Sequence, residues 1–269
     1  MSEPLLQVRN LSVHAGDAPL VRGVDLAVDR GGSLGIVGES GSGKSLTCRS
    51  ILGILPPGTA NGPGAEITFD GTDLVGLDRR GWAAVRGSRI GAVFQDPGSY
   101  LNPSITVGRQ LAEVLRVRSG LGRRAARERA VDLFAQMGLR DPAGVARQYP
   151  FELSGGMLQR VLIAIAISDD PDLLIADEAT TALDVTVQAE VLDLLADLRE
   201  RTGLALVLVS HDLAVVAQVC DEVVVMREGV IVERGRSADV LRDPQHEYTR
   251  LLVDAHARYG IERFRGSRV

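Results

Sequence analysis

Between the short apolar run Ser33 to Val37 and an apolar stretch that begins at Leu46 stands Gly38-Glu39-Ser40-Gly41-Ser42-Gly43-Lys44-Ser45. The octapeptide fits G-x-x-x-x-G-K-[ST], and its setting, after a strand and before a helix, restricts this part of the chain to an α/β unit joined by a tight glycine-rich turn. Glycines let the backbone close on a phosphate, and the N–H groups of the turn and of the helix start supply donors and a favourable dipole. In this pattern Lys44 reaches the β- and γ-phosphates of a nucleotide, and the Ser45 hydroxyl ligates Mg²⁺, with Leu46 next in the helix. A serine-hydrolase elbow is excluded, because Ser42 stands where G-x-S-x-G needs its last glycine.

Composition adds one sharp fact. Of the 30 basic residues Lys44 is the only lysine, and the 35 acidic residues leave a net charge of −5. That balance argues against a sequence-independent nucleic-acid binder. With 45% hydrophobic and 24% charged residues the chain reads as globular. Its longest apolar run, Val161 to Ile167, is far shorter than the roughly 20 residues a bilayer crossing needs. No secretory signal layout is visible at the N-terminus, so a cytosolic location is expected. Cys48 and Cys220 are too far apart in sequence for a metal knuckle or redox pair and read as small apolar fillers.

Along the chain, alternating apolar residues predict two antiparallel strands between Leu5 and Val28 with a turn at Gly16-Asp17. A helix is predicted over Leu46 to Leu55, stopped by Pro56-Pro57, then a loop over 57–64 and strands at 66–70 and 89–94. From Thr106 to Gln148 the period turns helical, which reads as an inserted helical segment; its arginine run reads as a solvated face. Strands at 173–176 and 205–210 flank a helix with apolar positions Val187, Val191, Leu194, Leu195 and Leu198, a β-α-β unit. A hairpin around Glu228-Gly229 and a polar, partly helical tail from 236 complete the chain.

Two further motifs carry chemistry. Leu173-Leu174-Ile175-Ala176-Asp177-Glu178 ends a buried strand in two carboxylates, where an open α/β sheet presents its ligand site. Asp177 is suited to hold Mg²⁺, and Glu178 to polarise an attacking water. Leu153-Ser154-Gly155-Gly156 opens a helix with Ser154 at the cap and two glycines behind it, leaving backbone donors for an anion. His14, His246 and His256 read as surface residues.

Leu-Ser-Gly-Gly between the phosphate loop and the Asp-Glu strand resembles the arrangement of ATP-binding cassette (ABC) ATPases, over residues 5 to 260. The resemblance implies a P-loop ABC ATPase core with an N-terminal antiparallel β subdomain and an inserted α-helical subdomain of about 98–165. The ATPase domain would span 1–235 and a helical tail 236–269. It implies ATP and Mg²⁺ as cofactors, with Gly38 to Leu46, Ser154, Gly155, Gly156 and Asp184 contacting nucleotide. Gln95 in Phe94-Gln95-Asp96-Pro97 resembles the Q-loop glutamine, a contact to Mg²⁺ or water. Asp184 resembles the D-loop aspartate, and His211 in Ser210-His211-Asp212 the switch histidine at the γ-phosphate. Glu178, His211 and Gln95 would be catalytic, and Ser45, Gln95 and Asp177 would hold the metal.

Within the family the wording is similar to the dipeptide, oligopeptide and nickel importer branch, in Leu101-Asn102-Pro103, Tyr149-Pro150-Phe151-Glu152 and Pro244-Gln245-His246-Glu247-Tyr248-Thr249. Ser45-Leu46-Thr47-Cys48, Leu52-Gly53-Ile54-Leu55-Pro56 and the ending Ala255 to Gly260 look most like its nickel ATPase. The resemblance implies a peripheral protein at the cytoplasmic face of the cell membrane. Its partners would be a second ATPase subunit, a paralogue facing it head to tail, two membrane permease subunits and, indirectly, an extracytoplasmic solute-binding protein, with no nucleic acid. Three departures stand out: neither His14 nor Ala15 supplies the usual adenine-stacking aromatic, Met157 replaces the commoner glutamine, and Ala179 the commoner proline. The alternatives are a soluble, non-transport ABC ATPase, and a GTPase or nucleotide kinase; the guanine motif N-K-x-D is absent, since the one lysine is already used.

Overall fold

The computed structural model describes residues 3–95, 97–179 and 184–254. The chain divides into two compact units, Met1–Trp82 with Ala205–Val269, and Ala83–Leu204. The first begins with β1 (Leu6–Ala15), β2 (Ala18–Val28), β3 (Ser33–Val37), α1 (Lys44–Ile51), β4 (Thr59–Asn61), β5 (Glu66–Phe69) and β6 (Thr72–Asp73), and α2 (Arg79–Val85) spans the boundary. The second holds β7 (Ile90–Val93), α3 (Val107–Arg118), α4 (Arg123–Gln136), α5 (Pro142–Val145), α6 (Gly155–Ala166), β8 (Leu173–Asp177) and α7 (Val185–Thr202). The first unit resumes with β9 (Ala205–Ser210), α8 (Leu213–Ala217), β10 (Glu222–Arg227), β11 (Val230–Arg236) and α9 (Ser237–Arg242), and residues 247–254 are again helical.

In the first unit β1 lies antiparallel between β2 and β5, while β4 pairs with the end of β1 and β6 with β5. The inward residues of β1 are Leu6 and Val8, then Leu11 and Val13, a step of three where strict alternation demands two. Asn10 absorbs the extra residue: its φ is +47°, the pairing register shifts there, and its N–H donates to Asp25 Oδ1 at 2.7 Å. The same unit carries β3 in parallel pairing with β9 on one side and β10 on the other, with β11 antiparallel to β10. Every residue of β3 and β9 is buried, the mark of strands covered on both faces. Each fully buried Val, Leu or Ile there contributes about 1.5–3 kcal/mol. Gly35 of β3 has no room for a side chain, since a Cβ would come 1.8 Å from Val216 Cγ1 of α8.

In the second unit β7 and β8 pair in parallel, and α6 closes on β7 so tightly that a Cβ on Gly91 would lie 2.4 Å from Ala166 O. Helices α3 and α4 bury Val107, Leu111 and Leu115 and Ala126, Ala130 and Phe134 respectively, the stripes expected of an amphipathic pair. Much of the arginine run is a solvated face: Arg116 pairs with Glu113 and Arg124 with Glu128, each at 2.8 Å, exposed ion pairs that add little stability.

The structure is mixed α/β with an antiparallel sheet, as the sequence predicts, and it corrects several details. Helix α1 begins at Lys44 and ends at Ile51, so the proline pair does not stop it. Gly53, at φ +60°, does: Ile54 N–H donates to Arg49 O and Gly53 N–H to Ser50 O, a Schellman termination four residues early. The loop over 57–64 contains β4, held by pairing with His14 and its neighbours. His14 is half-buried, close beside Gly62. His246 is also half-buried and hydrogen-bonded through its backbone N–H and Nδ1; His256 lies outside the described residues.

Candidate functional site

The phosphate loop leaves β3 at Val37, which pairs with Ser210 at the end of β9, so Gly38 and His211 start from adjoining strand ends in the first unit. The loop is compact because two glycines take left-handed φ angles, Gly41 at +83° and Gly43 at +101°, that other residues rarely adopt. Gly38 is required for a different reason: a Cβ there would lie 2.2 Å from Met226 O and 2.7 Å from Ser42 Oγ. Lys44 is 3% exposed, and its Nζ donates to Gly38 O at 2.7 Å and Glu39 O at 2.8 Å. Ser42 N–H donates to Glu39 O at 3.2 Å, and the β10–β11 turn braces the loop through Gly229 N–H to Ser42 O at 3.1 Å. Glu39 and Ser40 are exposed, while Ser45 and Leu46 are half-buried at the start of α1.

This loop fits a nucleotide phosphate. Ser42 Oγ is buried without a hydrogen-bond partner, the α1 N-terminus has no side-chain cap, and open space adjoins Gly41. His211 is exposed, directly before Asp212, whose carboxylate caps α8 by accepting Ala214 N–H at 2.9 Å and Val215 N–H at 3.3 Å.

In the second unit the paired strands β7 and β8 end level with each other, Val93 opposite Ala176. Gln95 follows β7 and is exposed; Phe94 before it stacks on Tyr100, ring centroids 5.6 Å apart. Asp177, the last residue of β8, is 3% exposed. Glu178 turns sharply out of the strand at φ +50°, an unusual conformation for a side-chain-bearing residue and a local strain. Ser154 caps α6, accepting Met157 N–H at 3.4 Å, and Asp184 caps α7, accepting Val187 N–H at 3.0 Å. The two helix starts meet at Gly156, where a Cβ would stand 2.4 Å from Val187 Cγ1. Gly155 and Gly156 thus stand close to the Asp184-capped helix start.

The sequence motifs assign no role to one residue that meets this loop. Tyr248, 2% exposed, accepts the Glu39 N–H through its hydroxyl at 2.8 Å. Its family wording was legible; its contact, across more than two hundred positions of chain, was not.

A family model described as ABC transporter matches residues 21–181. The chain belongs to the ABC transporter family. As a member it is an ATPase that binds ATP with Mg²⁺. This ABC cassette is 47% identical over 258 residues to the peptidoglycan transport ATP-binding protein YejF of Agrobacterium fabrum, covering 94% of this chain and 47% of that protein. It thus spans about half the length of that relative. With the oligopeptide transport ATP-binding protein OppD of Bacillus subtilis it shares 45% identity over 249 residues, 91% of this chain and 70% of that one. Among solved structures it matches cbiO1 of Clostridium perfringens, part of the ABC transporter complex cbiONQ, with a TM-score of 0.78 and 28% identity, covering 90% of this chain and 92% of that one. No helix among the described residues of this cassette is long and apolar enough to cross a membrane.

Proposed function

We propose that this chain powers the import of a small solute, a di- or oligopeptide, through two membrane permease subunits to which it is bound at the cytoplasmic face. The observation that carries the reading is the buried Lys44 inside a glycine-built phosphate loop, in a chain that aligns over nine-tenths of its length with a protein named for oligopeptide transport. In this reading the ATPase domain covers 1–235, with a helical subdomain of about 98–165 inserted, and 236–269 is a C-terminal tail.

The segment Gly38 to Leu46 cradles the phosphates, largely through backbone N–H groups other than those of Glu39 and Ser42, and Lys44 neutralises the β- and γ-oxygens. Ser45, Gln95 and Asp177 would hold Mg²⁺, which when bound offsets the charge on the transferred phosphate. Glu178 takes up the proton of the attacking water, oriented by Gln95, and His211 contacts the γ-phosphate. A second ATPase subunit, a paralogue in head-to-tail orientation, supplies its own Ser154, Gly155, Gly156 and Asp184 to the phosphate side, so closure follows nucleotide. A solute-binding protein outside the cell delivers cargo to the permeases.

A nickel chelate is the second reading for the cargo, favoured by the Ser45-Leu46-Thr47-Cys48 wording; the matching ending from Ala255 lies outside the described residues. In proteoliposomes holding the full transporter and its binding protein, di- or tripeptide is expected to stimulate ATP hydrolysis. Glu178→Gln is expected to lower the rate about 10²–10⁴-fold while ATP still closes the dimer. Stimulation by a nickel chelate alone would replace the peptide reading, and unchanged hydrolysis in Glu178→Gln would remove the base assignment.

A further inference from the structure

The peptide unit between Gly38 and Glu39 is held at both ends. Its carbonyl, Gly38 O, accepts from Lys44 Nζ at 2.7 Å, and its N–H, on Glu39, donates to the Tyr248 hydroxyl at 2.8 Å. Rotation of this one peptide plane would therefore break the Tyr248 bond and the Lys44 bond together. The next carbonyl, Glu39 O, collects both Lys44 Nζ and Ser42 N–H, so the geometry of the loop interior depends on where Glu39 stands.

Tyr248 is itself firmly seated. The Arg227 guanidinium lies over its ring, 5.1 Å from the centroid, and Arg227 follows Met226, whose carbonyl packs against Gly38. The chain leading to it is fixed by Glu233 on β11, whose carboxylate accepts Gln245 N–H at 2.8 Å and His246 N–H at 3.0 Å. His246 Nδ1 then accepts Tyr248 N–H at 3.1 Å. Burial pushes the Tyr248 phenol above its ordinary range, so the hydroxyl that accepts the Glu39 N–H stays protonated.

We propose that Tyr248 is a positioning residue for nucleotide binding: it fixes the Gly38–Glu39 peptide so that Lys44 and the loop N–H groups are arranged before phosphate arrives. The proposal rests on the phosphate-loop reading above. Without the hydroxyl the amide loses its acceptor and the loop must be ordered at the expense of binding energy.

Tyr248→Phe keeps the ring and its stack on Arg227 and removes only the oxygen. In the full chain it is expected to weaken Mg-ATP binding, and to raise KM for ATP, about 5- to 10-fold. The melting temperature should stay within a few degrees and kcat within about twofold of the parent, since no group at the reacting atoms changes. Hydrogen exchange at the Glu39 amide is expected to quicken in the variant, a readout independent of turnover. Lys44→Ala, measured alongside, separates the role of Tyr248 from that of the phosphate loop itself. If Lys44→Ala loses ATP binding while Tyr248→Phe keeps parental affinity and parental Glu39 protection, Tyr248 merely anchors the tail and the proposal is overturned. If Lys44→Ala binds ATP as well as the parent, the phosphate-loop reading fails first and takes the proposal with it.

Discussion

Lys44 shows how far a single side chain can be constrained by its surroundings. Its ammonium sits within hydrogen-bond distance of two carbonyls inside a loop that leaves it 3% exposed. A compact group with three rotatable donors satisfies that geometry; a planar guanidinium, wider and rigid, does not. Lys44→Arg keeps the charge and is nonetheless expected to reduce ATP turnover roughly 10²-fold, as measured by steady-state phosphate release. The local chemistry of this position was legible because pattern, glycine placement and the change from strand to helix all lie within a dozen residues. The same holds for Ser154, whose capping role follows from its place before a helix. Glu178 was legible as a carboxylate at a strand end, but its left-handed backbone was not, since nothing in the local composition marks a non-glycine residue for φ +50°. Tyr248 could be read as part of a motif, yet its target lies far away in sequence.

At the level of elements, periodicity makes strands and amphipathic helices legible in the sequence, whereas the choice between two neighbouring stop signals is not. The alternation in β1 and β2 gave two strands with their turn, while the bulge at Asn10 shows up only as a misplaced step between Val8 and Leu11. The proline pair is the more conspicuous stop after α1, yet the quieter Gly53 offers the chain a hydrogen-bonded exit first. The helical stretch from residue 247 depends on a distant carboxylate, Glu233. Burial alone would raise its pKa. The hydrogen bonds it accepts from Gln245 and His246, with the buried Thr249 hydroxyl adding at longer range than a full hydrogen bond, outweigh burial and hold it below the ordinary value of 4.5. A carboxyl lowered in the folded state stabilises fully above its unfolded pKa, and that contribution is lost as pH falls through the folded value. Protection of the 247–254 amides is therefore expected to be constant from pH 7 to about 5 and to fall below the ordinary glutamate range. In Glu233→Gln this acid-side loss should disappear and protection should be lower throughout; hydrogen exchange across that range reads both.

On the scale of the whole chain, composition bounded the answer without supplying it. A net charge of −5 and the lack of a long apolar run constrain the partners and the solvent, whereas the pairing of β3 with β9 and β10 brings together strands from opposite ends of the sequence. No local pattern specifies such a neighbour; it is selected by burial of continuous apolar strands on both faces. The lone lysine has a consequence at this scale as well. The surface cations of the described residues are guanidinium groups, which acylating reagents pass over, and the sole ε-amine of the sequence is folded into the glycine-rich loop after β3. Mild treatment with an amine-directed ester is thus expected to mark the N-terminus and Lys44 alone, the latter slowly and more slowly still with Mg-ATP present, as counted by intact-mass spectrometry. Rapid labelling at Lys44, unaffected by nucleotide, would contradict its enclosure. The molecule carries its own footprinting probe inside the fold, at the atom whose accessibility reports whether the glycine-rich loop is open.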